Sequence, residues 1–307
     1  MKIFLIAIGI LAALSVMLIL WLPTYIMTGK RQTLEEAFLW QSDHYDTSFY
    51  GKLDKTDYTI TGAEGYVLHA ELLTNPEPTA RYMILTHGYT DNRKGALKYV
   101  PIYLRAGFNC VIYDLRGHGE NKADFTTYGI REGMDLKAVI EDTKKRYPDL
   151  SVLGLHGESL GAAATIACLK YRPDVDFAVA DCGFSDIRNV LERGFRNAHL
   201  PAEAMFQLAD LGAKIKYHYS LKEMRPIDSL YENEIPLLFL HGAEDSFIIP
   251  QNSRDMEKAT KGMADVHLIP RAEHAVSVLV QPELYEKYVS EFLEMTVSIH
   301  KNDTIRK

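Results

Sequence analysis

The chain has 307 residues, 47% hydrophobic and 24% charged, enough for one large domain or two ordinary ones around a sizeable core. A formal net charge of −7 argues against a nucleic-acid partner, which would require a basic face. Three cysteines, an odd number, give no disulfide framework and no metal-ligand spacing; Cys110, Cys168 and Cys182 each fall in an apolar stretch and read as buried small hydrophobes.

The N-terminus departs from a soluble composition. Ile3 to Leu22 runs without a charge, roughly 30 Å as a helix, the thickness of a bilayer core. Trp21 and Tyr25 follow at positions suited to a membrane interface, and no small-x-small cleavage site succeeds the run. Residues 1–29 are therefore expected to be an uncleaved transmembrane anchor rather than a signal peptide. Lys2 on one side nearly balances Lys30 and Arg31 on the other, and the expected orientation places the large domain outside the cell. Residues 30–56 read as a juxtamembrane linker in which Leu34, Ala37 and Phe38 share one face of a short packing helix.

From residue 57 the pattern becomes that of a folded domain running to 307. Asp57–Thr61 and Tyr66–Leu73, separated by Gly62-Ala63-Glu64-Gly65, read as a hairpin. Apolar strands follow at Tyr82–Thr86 and Phe108–Asp114, with a helix around Ala96–Arg105 between them. A helix from Ile130 leads to Tyr147-Pro148, and then come the strand around Leu150–Leu155 and the turn Gly157-Glu158-Ser159-Leu160-Gly161. Further strands read at Phe177–Cys182, Pro236–Gly242 and Val266–Pro270, before a closing helix from Pro282 to about Ile299. Near-continuous apolar strands alternating with helices predict a mostly parallel α/β sheet with helices on both faces, the hairpin lying on its edge. Between about 184 and 234 the alternation stops and Ala-, Leu- and Met-rich helical sequence intervenes, too long for an ordinary connection. It reads as a helical cap over the C-terminal ends of the strands, where such sheets have their crevice.

The G-x-S-x-G turn, with a buried strand before it and a helix former after it, has the pattern of a nucleophile elbow that lifts Ser159 clear of the sheet. A serine hydroxyl needs a base, and the base a carboxylate. Asp245 and His274 follow in that chain order, each in the loop just past a late strand. Glu244, Asp181 and Asp186 are rival carboxylates; His267 lies inside a strand and reads as structural. For Ser159 the competing role is a helix cap. Oxyanion donors are expected from the N–H groups of Leu160, at the helix start, and Tyr89, with Gly88 allowing close approach. His87 and His118 read as loop scaffolding.

His87-Gly88-Tyr89, Asp114-Leu115-Arg116-Gly117-His118-Gly119, Gly157-Glu158-Ser159-Leu160-Gly161, His241-Gly242-Ala243-Glu244-Asp245 and Glu273-His274 together resemble the α/β-hydrolase superfamily over about residues 58–292. The similarity is nearest to membrane-anchored bacterial hydrolases of the serine-aminopeptidase-like or Bem46-like group. Pro226-Ile227-Asp228-Ser229-Leu230 also resembles that group. The resemblance implies ester, thioester or amide hydrolysis without metal or organic cofactor, and leaves the substrate open. The expected activity is cleavage of a carboxylic ester, with an amphipathic acyl compound as substrate. An aminopeptidase is the alternative and would use a cap carboxylate, from Glu203, Asp210 or Glu223, to hold an ammonium. A non-catalytic membrane-bound scaffold is the third reading, and it leaves the Ser, Asp and His set without a use.

Overall fold

The computed structural model describes residues 1–304, and the side chains of these except at positions 2, 3, 7, 8, 11, 12 and 298–304. Eight strands form one sheet: β1 (Lys55–Thr61), β2 (Val67–Leu73), β3 (Arg81–Thr86), β4 (Asn109–Tyr113), β5 (Val152–Glu158), β6 (Phe177–Asp181), β7 (Leu237–Gly242) and β8 (Ala264–Ile269). Their order is β1-β2-β4-β3-β5-β6-β7-β8. β2 runs antiparallel to β1 and β4, and the other neighbours are parallel. The hairpin thus lies on one edge, and the strand order reverses beside β3 and β5, the switch point where such sheets open a crevice. β4, β5, β6 and β7 are buried along their whole length, which is why they read as unbroken apolar runs instead of alternating ones.

The helices are α1 (Lys2–Met27), α2 (Leu34–His44), α3 (Ser48–Lys52), α4 (Val100–Arg105), α5 (Ile130–Arg146), α6 (Leu160–Cys168), α7 (Ile187–Asn197), α8 (Ala202–Tyr217), α9 (Gln251–Ala259), α10 (Ser277–Val280) and α11 (Pro282–Thr304). One core layer joins the sheet to α5, α6, α7 and α8 through residues such as Ile84, Leu155, Ile166 and Phe206. The other joins it to α4 and α11 through Leu85, Tyr103, Phe177 and Phe292. The expected helix at Ala96–Arg105 divides into a 3₁₀ segment, Arg93–Lys98, followed by α4 with Pro101 in its first turn. A proline is tolerated there because the first turn leaves its N–H groups free. α2 is fixed at its start by a capping box in which Thr33 and Glu36 exchange side-chain-to-backbone bonds.

Among the described residues no helix is long and apolar enough to cross a membrane. The expectation of a transmembrane helix at residues 1–29 is therefore not supported as a span; part of that stretch lies outside the described side chains. α1 is instead docked over its C-terminal half. Leu22, Ile26 and Met27 are buried in the core layer that also contains Met205, Phe206, Ala209 and Ala213 of α8. Pro23 has no N–H for the Ile19 carbonyl four residues earlier. The backbone of α8 approaches that carbonyl so closely that a Cβ on Gly212 would stand 1.9 Å from Ile19 O.

Candidate active site

β5 ends at Glu158 and α6 begins at Leu160, so Ser159 alone makes the turn, with φ 52° and ψ −111°. For a residue with a side chain this conformation costs on the order of 1–3 kcal/mol and needs support from its surroundings. The flanking glycines supply the room. A Cβ on Gly157 would lie 2.1 Å from Gly161 O, and one on Gly161 would lie 2.1 Å from Thr86 O. The Ser159 side chain makes no capping bond to α6, which removes the competing role. Its Oγ is 3.0 Å from His274 Nε2, and His274 Nδ1 is 2.7 Å from Asp245 Oδ2.

The loops bearing Asp245 and His274 are laced together. Ala243 N–H donates to Ile269 O and Glu244 N–H to Ala272 O, and Gly242 has no space for a side chain against Ala272 O. Asp245 is buried, and its Oδ1 accepts from the N–H groups of Phe247 and Ile248. Burial pushes its carboxyl up, but hydrogen bonds from His241 and His274 outweigh that and hold it at about 2. His241 is itself oriented, with Nδ1 on Ser253 Oγ and Nε2 on Ile248 O. The rival carboxylates are placed elsewhere. Glu244 is exposed, Asp186 caps α7 and pairs with Arg225, and Asp181 accepts from Tyr99 and Tyr285 below the sheet end. His267 stacks on Tyr288, 3.8 Å between centroids, and pairs with Asp265.

Gly88 brings the loop after β3 against the elbow: a Cβ there would lie 3.6 Å from Ser159 Cβ. The N–H groups of Tyr89 and of Leu160 have no hydrogen-bond partner among the described residues. The Tyr89 ring is fastened by its hydroxyl, which donates to Ile26 O and accepts from Gly29 N–H. His87 Nε2 accepts from Leu115 N–H, and His118 Nδ1 bonds Arg116 O. Burial holds both histidines below their usual range, His118 strongly so, and both serve the loop as neutral scaffolding. At the outer side, the edge of the half-exposed Phe247 ring meets His274, 5.1 Å between centroids.

Residue patterns gave no role to the buried ion pair beneath the serine. Lys98 Nζ pairs with the carboxylate of Glu158 and donates to Ala275 O, the carbonyl next to His274. Tyr99 OH bonds both Glu158 and Asp181. One lysine thus joins the elbow to the histidine loop. A lone Lys at a helix start ordinarily reads as solvated, and only the fold reveals its burial. The cap carboxylates considered for an ammonium are already committed: Glu203 to Arg188 and Gln207, and Asp210 to Lys214 and Ser220, while Glu223 is exposed. The three cysteines are free and buried, and among the described residues no group of His, Cys, Asp and Glu is arranged to hold a metal.

Residues 96–295 match the prolyl oligopeptidase family. Over 299 residues, covering 96% of this chain and 98% of its own, the uncharacterized protein YqkD of Bacillus subtilis (strain 168) is 29% identical. The esterase Pf2001 of Pyrococcus furiosus is similar in structure, with a TM-score of 0.66, 25% identity, and 82% of this chain and 96% of its own covered. In fold alone the chain is also similar to Est1E of Butyrivibrio proteoclasticus, solved with ferulic acid, with a TM-score of 0.60, 17% identity, and 78% and 100% covered. It is likewise similar to XC6422 of Xanthomonas campestris, described as an α/β serine hydrolase without lid, with a TM-score of 0.54, 16% identity, and 82% and 96% covered. With its eight-stranded sheet and the elbow serine facing a histidine, the chain is a serine-hydrolase-type enzyme of the α/β-hydrolase superfamily, and it belongs to the prolyl oligopeptidase family.

Proposed function

We propose that this enzyme hydrolyses a carboxylic ester through an acyl-enzyme on Ser159. The observation that carries the reading is the unbroken contact from Ser159 Oγ through both nitrogens of His274 to Asp245. In this mechanism His274 takes the hydroxyl proton as Ser159 attacks the acyl carbonyl, and Asp245 orients the ring and stabilises the imidazolium. The Tyr89 and Leu160 N–H groups hold the oxyanion. His274 then protonates the leaving alcohol, activates water and returns its proton to Ser159 as the acid departs. The esterase named among the structural relatives supports an ester over an amide. The prior commitment of Glu203 and Asp210 to cations weighs against capture of a substrate ammonium.

The reading includes a membrane-associated enzyme acting on an amphipathic acyl compound, with its domain outside the cell, of the Bem46-like, serine-aminopeptidase-like group. It is supported by the uncharged run Ile3–Leu22. A fluorophosphonate probe should label the wild-type chain and leave Ser159→Ala unlabelled. Hydrolysis of p-nitrophenyl esters should exceed that of aminoacyl p-nitroanilides. The reverse preference would replace the ester reading with the aminopeptidase one, and folded wild type that resists the probe would refute an activated serine.

A further inference from the structure

The helices α1 and α8 run side by side in the same direction. Gly212 lies against Ile19 and Pro23, Lys216 Nζ bonds Thr24 Oγ1, and Tyr217 borders the same groove as Thr28 and Gly29. At 1.5 Å per residue, the start of α8 is therefore level with about residue 11 of α1. Only about 15 Å of α1 can project beyond the cap, half the roughly 30 Å of a hydrocarbon core. Docked in this way, α1 cannot cross a bilayer while the cap stays in water.

The outward side of the pair is apolar on both helices. Val16, Met17, Leu20 and Trp21 of α1 and Leu211 and Ile215 of α8 are each between 45% and 57% exposed. Helical spacing puts Val16 and Leu20 on the edge of α1 nearest α8, and Leu211 and Ile215 on the matching edge of α8. The two stripes therefore form one face, continuous with the uncharged N-terminal run. At one end of this face Trp21 stacks on Tyr25, 5.2 Å between centroids, and at the same level α8 carries the exposed Lys214, paired with Asp210, and Lys216, bonded to Thr24. Aromatic rings with long cationic side chains at one boundary of an apolar face suit the headgroup level of a lipid surface.

We infer that this shared face, and not α1 alone, is the surface that meets the bilayer: the cap helix α8 lies in the interface with α1, so the enzyme rests on lipid through its cap. The inference rests on the membrane reading above. It also gives acyl substrates a short path, because the last turn of α1 is bonded to Tyr89, beside the elbow.

The test uses the full chain with single cysteines introduced, since the native three are buried. Leu211→Cys, Ile215→Cys, Leu5→Cys and, as a remote exposed control, Lys261→Cys are treated with a membrane-impermeant maleimide on phosphatidylcholine–phosphatidylglycerol vesicles. Circular dichroism checks that each variant is folded. The inference expects positions 211, 215 and 5 to react at least tenfold more slowly than 261. If position 5 alone is protected, the cap stays in water; the inference fails and the anchor reading survives. If all four react alike and the protein does not float with the vesicles, both fail. Protection of 211 and 215 without lipid, together with a dimeric mass, assigns the face to a second copy and overturns the lipid.

Discussion

Asp245 shows what a single carboxylate contributes in this site. Its carboxyl is held at about 2, against the pull of burial, by hydrogen bonds from His241 and His274. It is therefore ionised across the neutral and mildly acidic range, where it presents an acceptor to His274 Nδ1. Asp245→Asn keeps the shape but offers His274 an amide, which favours the wrong tautomer. Turnover should fall by about three to four orders of magnitude with KM little changed, as estimated from serine-histidine-aspartate sites generally. Steady-state kinetics on an ester checks this, and a fall in affinity instead of turnover would contradict it. Lys98 poses the opposite problem. Removing it leaves Glu158 charged, buried and unpaired, at a cost of about 3–5 kcal/mol. Lys98→Met should unfold at markedly lower temperature, and the neutral pair Lys98→Met with Glu158→Gln should regain most of the loss; equal melting of the two variants would exclude charge compensation. At this scale the sequence was legible wherever chemistry dictates position. Ser159, Asp245 and His274 stand at turns and strand ends where only a few residue types have a use. Lys98 and Glu158 were not legible, because a charged side chain carries no mark of burial until the loops that enclose it are placed.

Elements follow the same division. The buried strands announce themselves as apolar runs, and the glycines of the elbow follow from its shape. The contact of α1 with α8 does not, because a helix without charges on any side gives no periodicity from which to choose its buried face. That contact depends on Gly212. Alanine is the better helix former by about 1 kcal/mol, so Gly212→Ala ought to stabilise α8 taken alone. In the fold its Cβ would stand 1.9 Å from Ile19 O and 2.8 Å from the Pro23 ring. The helices must then separate, loosening the segment after α1, where Arg31 is held by the carbonyls of Gly117 and Asp124. Trypsin should consequently cut after Lys30 or Arg31 at least tenfold faster in Gly212→Ala, with the sheet domain intact on gels. An unchanged rate would mean that the close approach is not what holds α1.

The whole molecule inherits a pH dependence from the junction of its two core layers. Asp181, at the end of β6, is completely buried between the elbow, α4 and α11, with Tyr99 and Tyr285 donating to one oxygen and no partner for the other among the described residues. Burial, reinforced by repulsion from Glu158, raises its carboxyl from 3.8 to about 6. The unfolded chain releases this proton near 3.8 while the folded site keeps it to about 6. Across that window the folded state binds more protons, so stability falls as pH rises. Asp245 acts in the other direction, but its contribution is lost only as pH drops from about 4 towards 2, outside the window. Asp181→Asn retains an oxygen for the two tyrosines and removes the charge. Its stability relative to the wild type should therefore climb between pH 4 and 6, by on the order of 3 kcal/mol, and level off above. Thermal unfolding of both chains at pH 4.5 and 7.5 measures this. A difference that does not change with pH would show that Asp181 keeps an ordinary carboxylate, and that Lys98 compensates two acids and not one.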